Sequence, residues 1–309
     1  MAELAVTDRI ERLNAASQAR LIDPDRDLPG RLGDGQLLPD DLLLPTAGLD
    51  EAALSPEQRV TLSRQVLAAV TTAGLQFEAV LMAGFGLQIA RAGDHTDPRI
   101  TYLLHEVGEE TRHSRLFARM LEQLGPPAPN PLEGWLAQRV TRRVVHRVIT
   151  SPALLYTMVL AGEEIPDLLQ RRAAEHPGTD PFVRAVNRYH RQEEARHLAF
   201  ARMILPEVWD RAGPAERTLV RTVAPVLIRE MYENMIHPGV FGAVGLPAVP
   251  TWRAARNHPG RVEVRLAATR PVLRALLDAG VLHAGRVPRP WRGLCGVDAA
   301  GAPVPAPAP

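Results

Sequence analysis

One short unit is written twice in this chain, and the repeat limits what the chain can fold into. Residues 109–121 read EETRHSRLFARML and residues 193–205 read EEARHLAFARMIL. Both open Glu-Glu-x-Arg-His, and the second copy follows the first by 84 positions, counted from Glu110 to Glu194. Residues three or four apart share one face of a helix. Glu110 and His113 are therefore neighbours, as are Glu194 and His197. The first face continues as Leu103, Glu106, Glu110, His113, Phe117, Met120 and Leu124. The second runs Val183, Asn187, His190, Glu194, His197, Ala201 and Ile204. These are core-facing stripes, apolar at both ends and ionisable in the middle. Burying such groups unpaired costs several kcal/mol each. A bound metal relieves that cost, because carboxylate and neutral imidazole are both ligands.

Start and stop signals divide the rest of the chain into helices. Residues 1–54 are rich in Pro, Asp and Gly and read as an extended N-terminal arm with one short helix. Ser55-Pro56-Glu57 combines an N-cap, a proline suited to the first helical position and an acid that complements the dipole. The helix it opens can run to about Ala92. Asp97-Pro98 opens a second, to about Leu124. A third helical region, 132–174, breaks at Ser151-Pro152, and Asp180-Pro181 opens a fourth, to about Leu205. Helical sequence returns at 214–236, interrupted at Pro225, and at 250–257 and 260–281. The tail GAPVPAPAP is low in complexity. No strand pattern is visible, so the expected class is all-α.

Di-metal bundles take a Glu-x-x-His from each of two helices and one Glu from each of the other two. Between Glu57 and Asp94 the first helix has a single acid, Glu78, inside the apolar run LQFEAVLMAGFGLQIA. The third region offers Glu163 and Glu164, about 100° apart on a helix, and periodicity leaves the choice between them open. Four helices in order thus carry Glu, Glu-x-x-His, Glu, Glu-x-x-His. That constellation predicts a ferritin-like four-helix bundle core with additional N- and C-terminal helices. His190 is an extra, one turn before Glu194 on the same face. Glu106 holds the matching position in the first copy, where it could hydrogen-bond a ligand histidine.

Composition excludes several alternatives. All 36 basic residues are arginine, so Schiff-base, pyridoxal-phosphate and P-loop lysines are ruled out. The only cysteine is Cys295, which removes a disulfide framework, Cys-ligated zinc and an Fe–S cluster within one chain. A net charge of +1 gives no footprint for nucleic acid. No apolar run is expected to approach a membrane span, and no signal peptide is evident, which points to a cytoplasmic protein with no membrane partner.

The pattern HRQEEARH (190–197), with EETRH upstream, resembles the AurF-type arylamine N-oxygenases, the p-aminobenzoate N-oxygenase family. The resemblance covers roughly residues 56–240. It implies a non-haem di-iron site with Glu78, Glu110, His113, Glu163, His190, Glu194 and His197 as ligands, and its spacing favours Glu163 over Glu164. It also implies catalytic roles for His190, Glu194 and Glu110. Two iron ions would serve, with manganese suited to the same hard ligands, and O2 as co-substrate. The implied activity is N-oxygenation of a small aromatic amine to hydroxylamine, nitroso or nitro product. Electrons would come from an external reductase or ferredoxin. Competing readings are a di-iron C-hydroxylase or desaturase, and a non-enzymatic ferritin-like iron binder. The resulting division is an arm (1–54), a helical di-iron oxygenase domain (55–285) and a partly disordered C-terminal tail (286–309), with room for a homodimer. Arg112 and Arg196 read as i,i+3 partners of Glu109 and Glu193. Tyr102, Tyr156 and Tyr189 lie near the ligand turns, where they could line a pocket or simply pack.

Overall fold

The computed structural model describes residues 2–19, 21–51 and 54–304. The first 54 residues differ from the extended arm expected of them. They carry α1 (Ala2–Ala19), α2 (Pro24–Asp27) and α3 (Asp40–Ala47). The Pro, Asp and Gly residues that suggested an arm cluster after position 22, whereas alanines at 15, 16 and 19 favour helix. Ile10 of α1 is buried in the main core, and Asn14 donates a hydrogen bond to the Pro98 carbonyl (3.0 Å).

Five helices follow, and those opened by Ser55-Pro56, Asp97-Pro98, Ser151-Pro152 and Asp180-Pro181 begin as the sequence signals. α4 (Pro56–Arg91) opens with a capping box in which Gln58 N donates to Ser55 Oγ and Ser55 N donates to Gln58 Oε1 (2.9 Å). α5 (Pro98–Leu124) is capped by Asp97. α6 (Trp135–Thr150) and α7 (Pro152–Glu175) meet at Ser151 with a bend of 108°. α8 (Pro181–Arg211) is capped by Asp180, which accepts from Phe182 N and Val183 N. It passes the expected end at Leu205 and continues through Pro206. The buried residues Leu205 and Trp209 on either side of that proline hold the extra turns against the core.

α4 pairs with α5, and α7 pairs with α8. Contrary to expectation, α4 is long and apolar enough to cross a membrane by length and composition, with an 18-residue window of mean hydropathy 1.6. Its Ala, Leu and Val residues lie on a helix that packs against α5, α6 and α7.

The remaining helices cover the bundle. They are α9 (Pro214–Thr218), a π turn (Leu219–Val223), α10 (Ala224–Asn234), α11 (Pro238–Ala243), α12 (Ala248–Ala255), α13 (Pro259–Asp278) and α14 (Arg289–Cys295). The π turn lies just before Pro225, which cannot donate a backbone hydrogen bond. α13 packs on α7. Buried Glu233 accepts from Arg265 and from Arg261 Nε (3.3 Å), and Arg261 also donates to the Thr46 carbonyl, tying α3, α10 and α13 together. Part of the expected tail is helical: α14 buries Trp291, whose indole N–H donates to the Val220 carbonyl (3.1 Å). Residues 305–309 of that tail lie outside the described residues. Among the described residues the only β pairing is one isolated bridge, Val297 to Pro303.

Candidate metal centre

α4, α5, α7 and α8 turn their acids and histidines toward one another. Glu78, Glu110, His113, Glu163, His190, Glu194 and His197 are all buried, none more than 5% exposed. Glu194 stands at the centre. Its Oε1 is 3.1 Å from His113 Nδ1 and 3.4 Å from His190 Nε2, and its Oε2 is 2.8 Å from His197 Nδ1. Glu110 spans the same two halves, with Oε2 3.4 Å from His113 Nδ1 and Oε1 3.3 Å from His197 Nδ1. Glu78 Oε1 is 3.3 Å from His190 Nε2, while its Oε2 accepts a hydrogen bond from Ser114 Oγ (2.7 Å). Both Glu-x-x-His units and the single acid of α4 therefore converge.

The adjacent acids of α7 part company. Glu163 lies against the cluster, and Glu164 turns outward to pair with Arg202. Burial, then the charges of Glu194 and Glu110, push the Glu163 carboxyl well above the usual range. Glu78 is raised too, chiefly by burial. Glu194 and Glu110 move the other way. Burial opposes their ionisation, but the imidazoles around them prevail and hold both below the usual range. For His113 and His197 burial opposes the charged form and is outweighed by the surrounding carboxylates, so both are held well above the ordinary imidazole range.

A second layer fixes the imidazoles. His113 Nε2 faces Glu193 Oε2 (3.0 Å), and His197 Nε2 faces Glu109 Oε2 (2.8 Å). The first Glu of each Glu-Glu doublet thus holds the histidine of the opposite copy. His190 Nδ1 faces Gln170 Oε1 (3.2 Å). Each ring has one nitrogen occupied by an outer acceptor, which fixes the tautomer so that the other nitrogen faces inward as a neutral ligand would. Arg196 donates to Glu109 (2.8 Å) and Arg112 to Glu193 (3.3 Å). The i,i+3 pairings expected of these arginines are longer, at 4.0 Å for Arg112–Glu109 and 3.5 Å for Arg196–Glu193. The cross-helix carboxylates win because each is already drawn towards the arginine by its hydrogen bond to the neighbouring histidine. This exchange between copies escaped the sequence reading. Its signal was present in the doubling of Glu in both units.

The tyrosines divide in the same way. Tyr189 donates to Glu193 Oε2 (2.9 Å) and meets the His113 ring edge-on. Tyr102 stacks on Phe200, and Tyr156 reaches Gln88 (3.2 Å), so these two pack around the centre. Phe117 stacks on His190.

The donor set fits a pair of divalent ions. Glu110 Oε1 and Glu194 Oε1 are buried without an aligned hydrogen-bond donor, although imidazole nitrogens stand close by. Oxygens and inward nitrogens that face each other in this way are reconciled by a cation between them. The four acids Glu78, Glu110, Glu163 and Glu194 would balance the charge of two divalent ions.

Residues 51–280 match the family described as P-aminobenzoate N-oxygenase AurF. The chain belongs to this family. Its cofactor is accordingly a pair of iron ions, and manganese suits the same oxygen-rich ligation. Among curated proteins, the AurF-family chain is 28% identical over 190 residues to uncharacterized proteins of Mycobacterium tuberculosis (Rv0885, strain H37Rv) and Mycobacterium bovis (Mb0909). The alignments cover 60% of this chain and 54% of each relative, so the chain spans about half the length of the curated relatives it matches. Among solved structures it is similar to an R2-like ligand-binding oxidase with a reconstituted Mn/Fe cofactor, with a TM-score of 0.48 and 13% identity over 89% of this chain and 93% of that one.

Proposed function

We propose that this AurF-family chain is a non-haem di-iron oxygenase that N-oxygenates a small aromatic amine. Glu78, Glu110, His113, Glu163, His190, Glu194 and His197 would hold the metals, and Glu110 and Glu194 each face the imidazoles of both Glu-x-x-His units. The observation that carries the reading is the set of three imidazoles, each with one nitrogen held outward by Glu109, Glu193 or Gln170 and the other facing the same carboxylates. When bound, two ferrous ions supply the redox chemistry of O2 activation.

The chain's own residues do the rest. Glu109 and Glu193 keep a proton on the outer nitrogen of His197 and His113, which raises the basicity of the inner one. Arg196 and Arg112 neutralise those two carboxylates, so the outer layer adds no net charge to the centre. Ser114 and Gln170 orient Glu78 and His190. Phe117, Tyr102 and Phe200 wall off bulk water. In the net reaction the amine nitrogen gains one oxygen atom and the other leaves as water. An external reductase or ferredoxin supplies two electrons, and two protons are consumed. Arg139, Arg142, Arg143 and Arg147 of α6 are all exposed, which suits contact with an acidic donor.

Incubating the reduced, iron-loaded protein with p-aminobenzoate and ¹⁸O2 tests this reading. The expected product carries label on nitrogen, read by mass spectrometry. Ferric iron accumulating with the arylamine unchanged would replace the oxygenase reading with an iron-binding one. Label found on carbon would make the enzyme a hydroxylase.

A further inference from the structure

The face that carries Glu110 and His113 holds one more acid that the seven-residue set leaves unused. Glu106 is 1% exposed, one turn before Glu110. In the second copy the same position is His190, whose inward nitrogen already meets Glu78 and Glu194. Ligand atoms of Glu106, Glu110 and His197 lie within 4.8 Å of one another, as do those of Glu78, His113 and His190. The two trios are counterparts, one from each half of the duplicated site.

The sequence suggested that Glu106 supports a ligand histidine through a hydrogen bond. Its neighbour His197 has no nitrogen left for that, because Nε2 is taken by Glu109 and Nδ1 by Glu194, both at 2.8 Å. Among the described residues no guanidinium pairs with Glu106, and its Oε2 is buried without any hydrogen-bond partner. A buried carboxylate oxygen left unpaired is costly. Apolar packing offers no reason for an acid beside the stacked rings of Tyr102 and Phe200, and the Tyr102 hydroxyl one helical turn away makes no hydrogen bond to it and is itself buried without a partner.

We infer that Glu106 is an eighth ligand group, serving the metal position defined by Glu110 and His197. The two positions then differ chemically. One has two imidazoles, His113 and His190, while the other is carboxylate-rich with the single imidazole of His197. Oxygen-rich sites suit manganese, and imidazole suits iron, so the two positions are built to differ in metal preference. This inference rests on the di-metal reading above.

Anaerobic titration with Fe(II), followed by metal-to-chain ratios after desalting, tests it through two substitutions. Glu106→Gln is nearly isosteric but ligates poorly, and Glu106→His is bulkier but installs the ligand type of the second copy. The expected result is about two ions per chain in the unmodified protein and about one in Glu106→Gln, or at least ~10-fold weaker binding of the second ion. Glu106→His should restore two. A packing role predicts the opposite order, with Gln tolerated and His disruptive, and that order overturns the inference. So does unchanged two-ion binding in Glu106→Gln. Circular dichroism identifies a variant that fails to fold, and an unfolded Glu106→His beside a two-ion Glu106→Gln counts as the packing outcome. If the unmodified protein binds no ions, the di-metal reading itself has failed.

Discussion

Glu163 and Glu164 are adjacent and chemically identical, yet they have opposite surroundings. Glu163 is enclosed by Glu194 and Glu110, and burial together with the charges of those two acids raises its proton affinity further than His197 lowers it. Glu164 pairs with Arg202, whose side chain is 47% exposed. A half-exposed ion pair contributes about 1 kcal/mol or less. Glu163→Ala is therefore expected to lose most bound iron, and Glu164→Ala to keep it with little change in stability. Metal-to-chain ratios for the two variants check this, and the reverse pattern moves the ligand to Glu164. The chain alone could not decide the pair, because Leu and Val flank both faces and the deciding group lies 38 positions away on another helix. Duplication made Glu110, His113, Glu194 and His197 legible. Glu78 was legible by isolation, as the one acid in a long apolar run. What stayed hidden was the exchange of Glu109 and Glu193 between copies, since a single helix does not say which neighbour its outer carboxylate will meet.

At the scale of elements, the helix starts were readable because each carries a short-range chemical cause. Ser55, Asp97 and Asp180 all cap as expected, each followed by proline. α1 was missed because its stripe is weak and its stability comes from docking Ile10 and Leu13 on the core, which is a long-range effect. The close approach of α4 and α7 depends on a missing side chain. A Cβ built on Gly162 would lie 1.8 Å from Phe77 Cε1. Phe77 precedes Glu78, and Gly162 precedes Glu163, so crowding here displaces a candidate ligand on each helix. Gly162→Ala is expected to destabilise the protein by about 1–3 kcal/mol through overpacking and to weaken metal binding. Gly86→Ala is the control. Nothing lies within 4 Å of its added Cβ, and alanine favours the helix by up to about 1 kcal/mol. Urea unfolding of both variants distinguishes them. Equal stability would remove the argument for a glycine-enforced approach.

For the whole molecule, the bundle gathers two copies of one unit around a shared pair of acids, Glu110 and Glu194, while α10, α13 and α14 cover it from outside. The cover is fastened by the buried Glu233, Arg261 and Arg265 cluster, on helices that periodicity located without revealing how they dock. On the reading proposed above, this arrangement would hold two metal ions between α4, α5, α7 and α8. Anomalous diffraction at the iron edge, from crystals of the Fe(II)-loaded protein, tests it most directly. Two peaks about 3.5–4 Å apart, among Glu78, Glu110, His113, Glu163, His190, Glu194 and His197, are the predicted result. A single peak, or peaks outside this cluster, would contradict it.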